Sequence, residues 1–313
     1  AERQHNTETM ADTDFWNRVM LGLPLQPPKP TFAYRKFEGM LTAMGLNLKK
    51  DGHDTVLTPL TDKGVRQLSK GEIKDGRMLR GKDDTEIKHG LFDPQITGGL
   101  TGKQWSHIEL ADPFPNPLFV GTEKLPGPAV VLSGLKWKEF DAVIHNKKTV
   151  NVGGKELSGG QAIQTILSKI DPKVEFEKLK NELPNLKGSD LDKANKRAKF
   201  LMALNKVNLK PHEAYMMNYV PVLPPMFRPV TPMPDGTIAS ADVNSLYSQL
   251  IQDNNALKDK DSLKYNPELH ARLQASVYDK LKATIGIGSV PVYDNNKKLK
   301  GLGQTIAGDS PKT

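Results

Sequence analysis

The side chains of this 313-residue chain best suited to chemistry are cations on loops. Lys297, Lys298 and Lys300 follow a turn signal at Asp294 to Asn296 in the glycine-flanked run VYDNNKKLK. Arg77, Arg80 and Lys82 lie in a charged, glycine-rich stretch, 70–103, that has neither a helical nor a strand period. Such groups suit phosphates, because each phosphate they neutralise releases condensed counterions. A solvated, charged loop is the other reading of both runs. Groups that make or break bonds are missing. The chain has no cysteine, which excludes disulfides, thiol catalysis and cysteine-ligated zinc within it. Its histidines (His5, His53, His89, His107, His145, His212 and His270) show no metal-ligand spacing. The acidic pairs Asp83–Asp84 and Asp259/Asp261 read as turn residues, since a hard cation needs several converging oxygens. No P-loop, nucleophile elbow or dinucleotide fingerprint occurs, so no catalytic residue and no metal ligand is assigned.

The element best placed to position such groups is 219–247, YVPVLPPMFRPVTPMPDGTIASADVNSLY. Pro221, Pro224, Pro225, Pro229, Pro232 and Pro234 each fix φ and remove a donor. They predict a stiff, projecting, extended loop, neither helix interior nor central strand, tipped by a turn at Pro234, Asp235 and Gly236. A helix follows, with Ser240 or Asp242 as N-cap ahead of Val243, Leu246, Leu250 and Ile251. Helices over 242–258 and 267–285 form an antiparallel hairpin, with Leu246, Leu250 and Leu257 facing Leu269, Leu273, Val277 and Leu281, and the hairpin protrudes.

Upstream, a short helix is predicted over 14–20 in a frayed arm and another over 34–48, with Phe37, Met40, Leu41, Met44 and Leu48 on one face. Thr61 or Asp62 caps a further helix. His107 to Leu110 is strand-like, 134–142 helical, and 142–155 alternates like a hairpin. Helices follow from Ser158 to Ile170, over 174–183 and over 190–207.

The net charge of +8 favours a polyanionic partner. Only 37% of residues are hydrophobic, and 23 prolines and 26 glycines point to many loops, or to a subunit that completes its burial against partners. No apolar run reaches 18 residues and no signal peptide is readable, so no membrane is expected and the expected location is the cytoplasm. The first residue is Ala1 rather than Met, which suggests processing or a cut boundary.

Four blocks, in order, carry a family resemblance. LSKGEIKDGRMLRGKDDTEIKHGLFDPQITGG, WSHIELADPFPNPLF, VLPPMFRP with DGTIASADVNSLY, and IGIGSVPVYDNNKKLKGLGQTIAGD resemble the N-terminal part of the largest subunit of multisubunit DNA-directed RNA polymerases. The resemblance covers about 60–313. It implies a non-catalytic part of a nucleotidyltransferase, α+β and irregular in fold. An N-terminal arm (1–60) precedes a clamp-like region (61–218), a lid loop (219–241), a helical hairpin (242–285) and a rudder-like loop leading to the catalytic core (286–313). By the same resemblance, Arg77, Arg80 and Lys82 lie beside upstream DNA. Phe227 and Arg228 part RNA from template, and Lys297, Lys298 and Lys300 brace the hybrid. Leu246, Gln249, Asp253 and Ala256 meet a promoter-specificity factor, although the arginines usual on that helix are largely replaced. The implied partners are template DNA, nascent RNA, the rest of the largest subunit and the second-largest subunit. Mg2+ is expected on a partner chain, because the aspartate loop that holds it does not occur here. Only Leu100 to Gln104 stand where the family carries a zinc ribbon. That deletion and the altered dock suggest a split, virus-encoded form acting in the host cytoplasm or packaged in a virion. A basic structural or DNA-packaging protein and a clamp-mimicking regulator are the other readings.

Overall fold

The computed structural model describes residues 16–25, 32–52, 54–78, 87–287 and 291–309. The fold is α+β, with small antiparallel sheets set among helices. A short helix at 16–21 precedes helix α1 (Phe32–Ala43), which buries Gly39, Met40, Leu41 and Ala43. The predicted continuation of α1 to Leu48 does not occur. The chain turns at Gly45, whose φ is +96° and where a Cβ would lie 2.4 Å from the Asn116 side chain. Leu48 is instead in strand β1 (Leu46–Asp51), which pairs antiparallel with β2 (Asp54–Pro59), and Pro24–Leu25 adds a short third strand. Helix α2 (Asp62–Leu68) starts as its sequence predicts, with the Thr61 hydroxyl accepting from the Gly64 amide.

The charged stretch carries a single short helix, Pro94–Thr97, among its described residues. The strand expected at His107 is longer, β3 (Ser106–Pro115). Helices Pro128–Ser133 and Trp137–Ile144 follow. Because residues to Ile144 are helical, the predicted hairpin begins later, as strands Val150–Val152 and Lys155–Leu157. Helix α3 (Gly159–Ser168) packs so closely on β3 that a Cβ at Gly160 would sit 1.8 Å from the Pro113 carbonyl oxygen. Helices Pro172–Glu182 and Gly188–Val207 form the expected charged pair.

Strand β4 (Met216–Val222) runs antiparallel to β3, so the proline-rich segment enters as a strand rather than a projecting loop. Pro221 is tolerated because it faces His107, whose own amide and carbonyl bond Gly71 and Ile73 on the other side. That makes it a non-hydrogen-bonded pair, where a missing N–H costs nothing.

The helical hairpin has the predicted bounds, α4 (Asp242–Lys258) and α5 (Pro267–Ile285). It does not protrude along its length. Asn254 on α4 accepts from the Ala111 amide at 2.9 Å and donates to the Glu109 carbonyl at 2.8 Å, both on β3. Ser248 donates to the Gly76 carbonyl, and Tyr278 on α5 stacks on Phe114 at 6.3 Å. Tyr247, Leu250, Ile251, Val277, Tyr278 and Leu281 are buried, each worth about 1.5–3 kcal/mol on transfer from water. Apart from Leu263, only the connecting turn, 258–268, is fully exposed. His145 pins α5 to helix Trp137–Ile144: its Nε2 meets Asp279 at 2.9 Å and its Nδ1 the Asp141 carbonyl at 2.8 Å. The hydrogen bonds from Asp141, then from Asp279, outweigh burial and push the His145 ring up to about 9. One contiguous apolar core runs from Val19 to Ile306. No helix among the described residues is long and apolar enough to cross a membrane.

Candidate nucleic-acid interface

Three pieces of backbone meet at the N-terminus of α4. The first is the turn Pro224 to Pro229, which folds back through a short 3-10 segment, Pro225–Phe227. Its position is set by Arg228, a fully buried side chain. The guanidinium donates from Nε to the Leu223 carbonyl at 2.6 Å, from Nη1 to Asn244 Oδ1 at 2.9 Å and from Nη2 to the Leu91 carbonyl at 2.5 Å. It also lies 4.7 Å over the Phe92 ring. Asn244 returns a bond to the Arg228 carbonyl at 3.0 Å, and Tyr247 Oη accepts from the Leu223 amide at 3.2 Å. Burial pushes Arg228 down to about 10, so it stays charged at neutral pH. The expectation that Arg228 touches nucleic acid is therefore corrected: its planar fork is spent on the protein's own carbonyls, and it has no exposed surface. The polar Asn244 on the buried face with Tyr247 and Ile251 is the sequence signal that marks this network.

The second piece is a hairpin, β5 (Val230–Pro232) and β6 (Ile238–Ser240). Its tip is rigid. The Gly236 amide bonds the Met233 carbonyl at 3.0 Å with Gly236 at φ +84°, and Asp235 accepts from the Thr237 amide and hydroxyl at 2.9 and 2.6 Å. Met233 and Ile238 are 45% and 37% exposed, so this part alone of the proline-rich segment projects. The N-cap of α4 is Ala241, without a side-chain cap, rather than Ser240 or Asp242.

The third piece is a smaller hairpin, β7 (Tyr293–Asp294) and β8 (Lys297–Lys298), closed by Asn295 and Asn296, both at positive φ. Two such residues between paired strands make the primed turn that matches strand twist. Leu246 packs with Val292 and Leu299, fixing this hairpin to α4, so Leu246 is core and not the docking residue expected of it. The Asp242 carboxylate accepts from Lys297 Nζ at 2.8 Å and from the Lys300 amide at 3.0 Å. Partial burial alone would raise that carboxyl, but these partners outweigh it and hold it below the usual range. Lys297, Lys298 and Lys300 are all exposed, and Lys298 and Lys300 make no ion pair among the described residues.

The other predicted residues scatter. Arg77 is exposed but grips Asp75 through two nitrogens at 2.7–3.1 Å, while Arg80 and Lys82 lie outside the described residues. Gln249 donates to the Tyr293 carbonyl at 3.3 Å, Asp253 accepts from Ser276 at 2.6 Å, and Ala256 is exposed. Half-buried Phe227 meets Phe32 of α1 with ring centroids 5.8 Å apart. Neither Phe32 nor Lys36 stood out in the sequence, because α1 lies in the arm that the family blocks do not reach.

The chain is similar to beta-prime subunits of DNA-directed RNA polymerase. It is 37% identical over 276 residues to that of Acinetobacter baumannii strain AYE and 38% over 277 residues to that of Nitrosomonas europaea, each covering 76% of this chain and 19% of the relative. It is 31% identical over 182 residues to the gamma subunit of Trichodesmium erythraeum, covering 57% of this chain and 27% of that subunit. The chain thus spans about a fifth of the length of the beta-prime relatives it matches. No protein-family profile matches it.

Proposed function

We propose that this chain is the clamp-side, N-terminal region of the largest subunit of a DNA-directed RNA polymerase. Its task is mechanical and electrostatic, and phosphoryl transfer is carried by the remainder of the enzyme, where Mg2+ binds. The observation that carries this reading is similarity to beta-prime subunits across three quarters of the chain. A rigid hairpin with exposed Met233 and Ile238 at its tip suits a wedge against an end base pair, as a lid that parts RNA from template. Lys298 and Lys300, on a second hairpin rooted on the same helix, suit phosphates of an RNA–DNA hybrid. Gln249, Asp253 and Ala256 remain as the surface for a promoter-specificity factor. The partners are template DNA, nascent RNA and the other polymerase subunits. A virus-encoded form is the finer proposal, resting on the missing cysteines and the altered dock.

The test replaces 231–239 with a short glycine-serine link, leaving Arg228 in place, in the enzyme purified with its bound partners. Initiation should persist while RNA–DNA hybrids become over-extended. Normal transcript displacement would refute the lid assignment. Purification without polymerase subunits would favour a structural protein, and inhibition of an intact polymerase a regulator.

A further inference from the structure

Beside the hairpins lies a cavity of about 390 Å³ whose walls come from three parts of the chain. Helix α1 contributes Lys36 and Met40, the proline-rich segment Phe227 and Ser240, and the chain leaving the lysine hairpin Lys300 and Thr305. Its size is that of small-ligand pockets, about 300–1,000 Å³. The floor is apolar and the rim carries cations. Asp242 is the carboxylate on the wall, and it is already engaged by Lys297 and the Lys300 amide. Lys36 makes no ion pair among the described residues. Phe227 is held from behind by α1, where Gly39 leaves room for its ring: a Cβ there would come within 3.2 Å. In front, Phe32 is 54% exposed and 5.8 Å from Phe227. Proteins that hold single strands pair aromatic faces for the bases with cations along the backbone.

We infer that this groove takes an unstacked nucleotide of single-stranded nucleic acid, its base against Phe227 and Phe32 and its phosphates at Lys36 and Lys300. The inference rests on the function proposed above and adds to it a role for α1, which lies in the N-terminal arm. RNA and DNA share this chemistry, so the test separates them. The enzyme, purified with its partners, is assembled on an RNA–DNA scaffold carrying 4-thiouridine in the RNA or 4-thiothymidine in one DNA strand. After irradiation, cross-linked peptides are mapped.

The expected result is cross-linking to 32–36 and Phe227 from one of these strands, which identifies the source. Phe32→Ala and Lys36→Ala should each lower its yield about three- to tenfold, while Lys298→Ala leaves this cross-link unchanged. Phe32 is exposed, so its replacement leaves the fold intact. Cross-links confined to the two hairpin tips, with both α1 variants within twofold of the parent, would overturn the inference and leave the proposed function standing. A polypeptide cross-linked in the groove would also overturn it. Absence of any nucleotide cross-link on the chain would overturn the proposed function as well.

Discussion

Replacing Arg228 with methionine keeps most of the side-chain volume and removes the donors. Three acceptors inside the protein then lose their partners: the Leu223 and Leu91 carbonyls and Asn244 Oδ1. A buried acceptor left unsatisfied costs about 1–3 kcal/mol. The variant recovers part of this, because a buried charge no longer has to be desolvated, and Asn244 keeps its bond to the Arg228 carbonyl. The net expected loss is about 3–5 kcal/mol, a large share of a typical domain's stability of about 5–15 kcal/mol. Arg228→Lys should fall between, since one ammonium cannot reproduce a planar fork. Urea unfolding followed by the fluorescence of the chain's three tryptophans reads the loss, and hydrogen exchange at 223–228 reads whether it is local. A loss under about 1 kcal/mol with unchanged exchange would refute the claim that this network sets the base of the loop.

His145 provides a pH test. Its folded value, raised to about 9, lies above the unfolded 6.5, so its contribution is fully present below pH 6.5 and fades as pH rises through 9. Solvent screening limits that contribution to at most about 2 kcal/mol, and the urea midpoints of the parent and His145→Leu should converge by pH 10. At the lysine hairpin, Lys298→Met should lower the salt-dependence slope of scaffold binding by about 0.9. An unchanged slope would remove Lys298 from the interface.

The hairpin helices were legible to the residue because Lys258, Pro267 and Gly286 punctuate a plain apolar spacing. What that spacing could not say is which neighbour each face meets. Leu246 fits a stripe directed at α5, yet it serves the lysine hairpin, whose only sequence signal was its turn. Arg228 between prolines reads as a surface cation, since its partner carbonyls leave no trace in side-chain type. Pro221 argued against a strand, and only the pairing of its neighbour with Gly71 and Ile73 reveals why it is harmless. The site at α1 was illegible because it depends on Phe32 and Phe227, 195 positions apart, meeting in space.

The Arg228 network also bears on how the molecule is made. Leu91 and Arg228 are 137 residues apart, and Gly76 and Ser248 are 172 apart. Closing loops of that length costs chain entropy before any contact repays it, which places the docking of the proline turn late in folding. A chain whose distant segments have misjoined presents no ordered turn at α4. Surfaces that engage the finished turn would thus discriminate mature molecules from half-folded ones, making it a checkpoint for assembly.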